Sequence, residues 1–311
     1  MAVGRVEAGQ RPQARARKGR PLGASSWTPY LFLVVPLALF LMWVIGPLFY
    51  SFYLSLTDWD GISAPKLVGL ANYRRLFDDP IFYTAIWNNV KWLISFITVP
   101  VVMGLALAMA LNRDIPGARL IKAIFYSPYI LSLVVVGLIF GWIYLPAGGL
   151  LNSTLSALGL GALNKGWLSD KSLATWCIIA AAVWRQVGYV MTLYLAGLQG
   201  VDPSLVDASK VDGANSWQAF RHVILPLLNP VTVVVVVISI IDSLRSFDLV
   251  YIMTRGGPAN ASTVMANFMY IEAFNNYNMG YAASIAVILF LITSIFIFIY
   301  LARVMATEME Y

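Results

Sequence analysis

Six stretches of the chain are each long and apolar enough to cross a lipid bilayer, and that pattern excludes most other architectures. They run at about Tyr30–Tyr53, Ala85–Leu111, Ile121–Leu145, Leu173–Leu198, Leu227–Phe247 and Tyr281–Val304. A membrane-crossing helix needs about 20 mostly apolar residues, because every backbone amide and carbonyl in hydrocarbon has to be satisfied inside the segment. Composition agrees: of 311 residues 59% are hydrophobic and 12% charged, with mean hydropathy +0.74, where a soluble domain carries about 25% charged residues. The expected fold class is all-α, a polytopic membrane protein with six transmembrane helices.

Lys and Arg near the segment ends set the orientation. With the N-terminus inside, the inner regions hold twelve basic residues, six in the tail plus Arg113, Arg119, Lys122, Lys210, Arg221 and Arg303. The outer loops hold half as many: Lys66, Arg74, Arg75, Lys165, Lys171 and Arg255. Both termini and the 202–226 connector are therefore expected in the cytoplasm. Trp27, Tyr50, Tyr53, Trp142, Tyr144 and Trp167 lie near the proposed ends, as an interfacial belt requires.

Residues 1–27 read as a basic tail with almost nothing to bury, expected to be disordered, and residues 28–311 as one membrane domain. Beside a long apolar run the basic tail suits membrane lipid with anionic headgroups rather than nucleic acid, which is not expected as a partner. The first apolar run exceeds a signal-peptide core and no small-residue cleavage pattern follows it, so it is expected to stay as a helix.

Little here can carry bond-making chemistry. Cys177 and His222 are the only residues of their types, so one copy can build neither a disulfide nor a clustered His/Cys metal site. The carboxylates are scattered and no Ser-centred nucleophile elbow appears. No G-x-x-x-x-G-K-[ST] loop is present, so the chain has no such cradle for ATP phosphates. An enzyme is not expected, and neither is a cofactor bound by this chain.

The connector Val206–Pro226, "VDASKVDGANSWQAFRHVILP", is polar and organised between two apolar runs. Asp202 followed by Pro203 is a helix start, since the carboxylate accepts from first-turn amides and Pro gives up nothing there. A short helix is expected from Pro203 to Asp212. Gly213 supplies the backbone freedom for a reversal, and Asn215 with Gln218 three residues on forms a variant capping box for a second helix toward Pro226. Ala208, Val211, Trp217, Phe220 and Val223 then present apolar surface, and Asp207, Lys210, Arg221 and His222 are polar. On the residues alone this helix-turn-helix could also be an amphipathic loop resting on lipid.

The connector resembles the signature of binding-protein-dependent ABC importer permeases: Glu-Ala-Ala, three residues, Gly, nine residues, Ile-x-Leu-Pro. Here the run is Asp207-Ala208-Ser209, three residues, Gly213, nine residues, then Val223-Ile224-Leu225-Pro226. Asp207 replaces Glu, Ser209 the second Ala, and Val223 the Ile; Asp207 keeps the charge but is one methylene shorter. The resemblance extends over about residues 29–305 and narrows to the carbohydrate branch, similar to maltose-type and glycerol-phosphate-type permeases. Leu67–Val90, "LVGLANYRRLFDDPIFYTAIWNNV", and Phe247–Pro258, "FDLVYIMTRGGP", also resemble that branch.

The resemblance implies a type I ABC importer transmembrane fold in a bacterial or archaeal plasma membrane, and a sugar as solute, an oligosaccharide first and a glycerol-phosphate compound second. It implies a second homologous permease subunit, two cytosolic ATPase subunits that hold the ATP and Mg, and an extracellular solute-binding protein. The connector becomes a coupling element: Asp207 bonds to the ATPase, Gly213 fixes the turn, Asp212 supports it, and Ala208, Ser209, Ala214, Leu225 and Pro226 complete the motif. An ion-coupled carrier and a membrane enzyme are the other classes, and either would act without an ATPase partner.

The solute pathway has its own candidates. Ser239, Ser243 and Ser246 recur at i, i+4, i+7 with Asp242 beside them. An ionised Asp at mid-membrane costs about 2.5–3.5 kcal/mol, so Asp242 is expected to face the bundle interior or water, with Arg245 as its nearest partner in sequence. Arg185, Gln186 and Tyr189 form a second polar notch. By resemblance, Tyr189, Ser239, Ser243 and Ser246 fall where maltose-type permeases place sugar-contacting residues; the plainer alternative is that the serines only pack between helices.

Overall fold

The computed structural model describes residues 28–113 and 115–308. The basic tail lies outside the described residues, as does the side chain of Arg303. By internal packing the chain divides into residues 1–49 and 50–311. Within the first unit the described residues belong to one apolar helix, α1 (Tyr30–Ser55), whose side chains up to Phe49 are almost all exposed.

In the second unit a two-residue hairpin, β1 (Thr57–Asp58) with β2 (Lys66–Leu67), leads to α2 (Ala71–Asp78) and then to α3 (Pro80–Leu111). Helix α3 begins five residues before the expected Ala85, because Asp79 accepts a hydrogen bond from the amide of Ile81 at 2.8 Å and Pro80 occupies the first turn. After it come α4 (Ala118–Ile130), α5 (Leu133–Ile143), α6 (Leu150–Ala157) and the long α7 (Ala174–Gln199). The connector forms α8 (Pro203–Val211) and α9 (Ser216–Leu227). The chain ends with α10 (Asn229–Leu244), α11 (Asp248–Met253), α12 (Met265–Tyr270) and α13 (Met279–Glu308).

Among the described residues four helices, α1, α3, α7 and α13, are individually long and apolar enough to span a membrane, and the number reaches six only if each of two bent pairs is one span. The first pair corrects the expected Ile121–Leu145 helix. It breaks between α4 and α5 with a 98° bend, because Pro128 has no amide to give the last turn and Ser132 caps a new helix by accepting from Val135 at 3.3 Å. The expected Leu227–Phe247 span is also shorter. Helix α10 has 16 residues, about 24 Å at 1.5 Å per residue, and the run Asn229–Met253 that it opens is bent 69° from α9 at Leu228.

The core lies between α3 and α7 and the elements packed on them. Trp92, Ile178, Val136, Leu249 and Val250 form one buried cluster, and Ala108, Met191, Tyr194, Leu228 and Val235 another. Gly188 lets α4 approach α7: a Cβ there would collide with the carbonyl oxygen of Phe125 and lie 2.9 Å from Tyr126 Cα.

Two asparagines of α3 staple a distant loop. Asn88 Nδ2 donates to the carbonyls of Ala261 and Thr263, each at 2.8 Å, and Asn89 Oδ1 accepts from the amide of Met265 at 2.8 Å. They hold the turn carrying Gly256-Gly257-Pro258, whose Gly257–Pro258 peptide is cis. Replacing Asn88 by Leu strands two carbonyls and is expected to cost on the order of 2–4 kcal/mol, read as a lower thermal midpoint of the purified complex; an unchanged midpoint would show that water takes over both bonds.

Candidate functional site

A cavity of about 360 Å³ opens where two helix interruptions meet. One is the α4/α5 break, represented in the wall by Tyr129 and Leu133. The other is the non-helical step Arg245–Phe247 between α10 and α11, which lines the cavity along its whole length. Ending a helix inside a bundle frees backbone groups and side chains to face a polar space, and such irregular backbone is tolerated at depth only against protein or water.

Four charged residues share this wall, Arg185, Asp242, Arg245 and Asp248, together with Gln186 and Ser246. Asp242 is open to the cavity, as its cost in hydrocarbon requires. Its expected pairing with Arg245 is not formed: among the described residues the only ion pairs are Arg75–Glu272 and Lys210–Asp207. Instead the buried Gln186 donates from Nε2 to Asp242 Oδ2 at 3.2 Å. Arg185 donates from Nε to the carbonyl of Leu131 at 3.2 Å, and its guanidinium lies 4.6 Å over the Tyr129 ring. Aromatic and apolar surface comes from Trp92, Phe96 and Phe247, and Trp92 Nε1 is buried with no partner among the described residues.

The remaining pathway candidates separate. Tyr189 stacks on Tyr129 with ring centres 4.4 Å apart and planes 10° from parallel. Ser239 and Ser243 are fully buried and are not in the cavity wall. Ser243 donates back to the carbonyl of Ile240 at 2.8 Å, and Ser239 Oγ has no partner among the described residues. Ser246 lies beyond the end of α10, donates to the carbonyl of Ser243 at 2.8 Å and does reach the wall. Sequence reasoning missed Trp92, Phe96, Tyr129 and Asp248 as wall residues; the helix interruptions that present them leave no strong mark in a hydropathy profile.

The connector folds through its own local signals. Asp202 accepts from Ser204 N at 2.9 Å, and these bonds from Ser204 hold its carboxyl below the usual carboxylate range. Gly213 adopts φ +88°, the left-handed region that glycine enters freely, and Ala214 N donates to the carbonyl of Ser209 at 2.9 Å. Both halves of the capping box form, at 2.9 Å from Gln218 N to Asn215 Oδ1 and 2.8 Å from Asn215 N to Gln218 Oε1. Helix α9 loosens into a π turn at Phe220–Ile224.

The two ends of the motif converge. Ala208, Ser209 and Asp212 from α8 and its cap share a shallow groove of about 350 Å³ with His222, Val223 and Pro226. Asp207 lies outside it, in an exposed i,i+3 pair with Lys210 at 2.9 Å, and Leu225 is partly exposed. Trp217 and Val211 present free apolar surface, 64% and 88% exposed. Among the described residues no group of three or more His, Cys, Asp or Glu could hold a metal ion.

Comparison with known proteins gives the family of the chain. Residues 101–311 match the family described as binding-protein-dependent transport system inner membrane component. A probable ABC transporter permease protein of Pyrococcus horikoshii is 36% identical, over 88% of this chain and 94% of that protein. A probable starch degradation products transport system permease of Thermoanaerobacterium thermosulfurigenes is 33% identical, over 90% and 95%. In fold, the chain superposes with a TM-score of 0.78 on a bacterial ABC transporter involved in the import of the acidic polysaccharide alginate, at 21% identity over 90% of this chain and 96% of that one. With a family model matching residues 101–311 and relatives aligned over most of its length, the chain belongs to the binding-protein-dependent transport system inner membrane components, the permease subunits of ABC importers.

Proposed function

We propose that this permease conducts an uncharged sugar, an oligosaccharide first among the choices, by alternating access driven by a separate ATPase. The charge balance of the cavity carries the reading. Two guanidiniums and two carboxylates line one space, so its net charge is zero, whereas a phosphate-selective wall carries a surplus of Arg or Lys. Bound donors and acceptors on aromatic and apolar surroundings suit a ligand with many hydroxyls on C–H faces. The relative named for starch degradation products supports the same class.

In this reading the chain works with a second homologous permease, two cytosolic ATPase subunits carrying ATP and Mg, and an extracellular solute-binding protein. It sits as a multi-pass protein in a bacterial or archaeal plasma membrane with both termini cytoplasmic. The α8/α9 connector docks on the ATPase, and Asp207 bonds to it by exchanging Lys210 for a partner cation.

The whole complex in proteoliposomes is expected to accumulate radiolabelled neutral di- or trisaccharides only with ATP, and to leave glycerol 3-phosphate outside. Accumulation of glycerol 3-phosphate in preference to neutral sugars would overturn the substrate class. Uptake by this polypeptide alone under an ion gradient would overturn the permease role.

A further inference from the structure

Arg185 and Gln186 are consecutive on α7, so their side chains leave the helix about 100° apart, and each reaches a different interrupted element. Arg185 goes to the α4/α5 break. It fills one of the carbonyls that a helix end leaves open, that of Leu131 at 3.2 Å, and lies over Tyr129 two residues earlier. Gln186 goes to α10 and holds Asp242 at 3.2 Å, three residues before the Arg245–Phe247 interruption. Both interruptions line the same cavity.

Helix α7 is the continuous element of the three, with 26 residues and most of its surface buried. Helix α10 then runs about 20 Å from Asp242 back to Asn229, where the 69° bend at Leu228 joins it to the connector. Contacts and chain therefore lead from the α4/α5 break through α7 to α10 and, across the bend at Leu228, on to α9.

We propose that Arg185 and Gln186 act together as a positioning pair: they strap both interruptions to α7, so that the two halves of the cavity wall move as one body with the connector. This assigns Arg185 to the α4/α5 break and leaves solute contact to other wall residues. The inference rests on the reading of the connector as the ATPase-coupling element. A strap has a signature that two separate struts lack, since cutting it at either place releases the whole.

The experiment is a double-mutant cycle on ATP turnover in the reconstituted complex of both permeases, the ATPases and the binding protein. Arg185→Lys keeps the charge but not the planar fork, and Gln186→Leu keeps the volume but not the donor. Each is expected to lower turnover about tenfold, the scale of a hydrogen bond to a charged group, and the double variant no further. A second measurement uses spin labels at Ile124 and Leu138, exposed on either side of the α4/α5 break. Gln186→Leu, which removes a hydrogen bond to α10 rather than to either of those helices, is expected to broaden their distance distribution as Arg185→Lys does. Losses that multiply in the double variant, unchanged turnover, or an Ile124–Leu138 distance indifferent to Gln186→Leu would each overturn the proposal. If wild-type turnover proves independent of the connector, with Gly213→Pro fully active, it is the coupling reading that fails, while the spin-label result still judges the strap.

Discussion

Replacing Gly213 by Pro is expected to reduce ATP-driven import to background while leaving the chain in the membrane. Gly213 sits at φ +88° and donates its amide to the carbonyl of Lys210 at 3.0 Å. Proline fixes φ near −65° and has no amide, so it loses both the turn and the bond, on the order of 3 kcal/mol or more. That sum is spent locally, because no atom lies within 4 Å of a Cβ at this position and the six apolar stretches are untouched. The groove that unites Ala208, Ser209 and Asp212 with Pro226 would open. Membrane fractionation should therefore find wild-type amounts of the variant, and proteoliposome uptake should find none of the activity; full uptake would remove the connector from the mechanism. Asp207→Lys is expected to act in the same direction by placing a cation beside Lys210 and repelling a basic partner.

Gly188→Ala is expected to prevent assembly of a stable complex. Its added methyl meets backbone, the carbonyl of Phe125 and Tyr126 Cα, rather than the yielding end of a side chain. Overpacking of this kind costs about 1–3 kcal/mol even where side chains can shift, and here a helix would have to move. Moving α4 away from α7 would also part Tyr129 from Tyr189 and Leu131 from Arg185. Size-exclusion chromatography in detergent should recover little intact complex; normal recovery would mean that α4 can stand off without consequence.

What the sequence made legible was local. Asp202-Pro203 and the Asn215/Gln218 pair act within one turn of chain, and the connector forms around them as their spacing demands. The apolar stretches were equally plain, because a membrane span is a property of one segment. Their interruptions were not: Pro128 and Ser132 lie in a run still apolar on average, and the contacts that meet the bend, at Gly188 and Arg185, come from another helix. The serine stripe shows the same limit. Its spacing is right for a helix, but α10 ends at Leu244, so Ser246 leaves the stripe and reaches the cavity while Ser239 and Ser243 turn inward. The pairing of Asp242 with Gln186 rather than with Arg245 was settled by a helix 56 residues away in sequence.

The asparagine staple sets a timetable for biogenesis. Asn89 Oδ1 accepts its bond from Met265, 176 residues later, and Asn88 Nδ2 donates to the carbonyl of Thr263, 175 residues later. At about 5–20 residues per second, a ribosome needs roughly 9–35 s to deliver those partners. Throughout that interval the first half of the nascent protein carries bare carboxamides, which must be hydrated or held by the insertion machinery until the last third emerges.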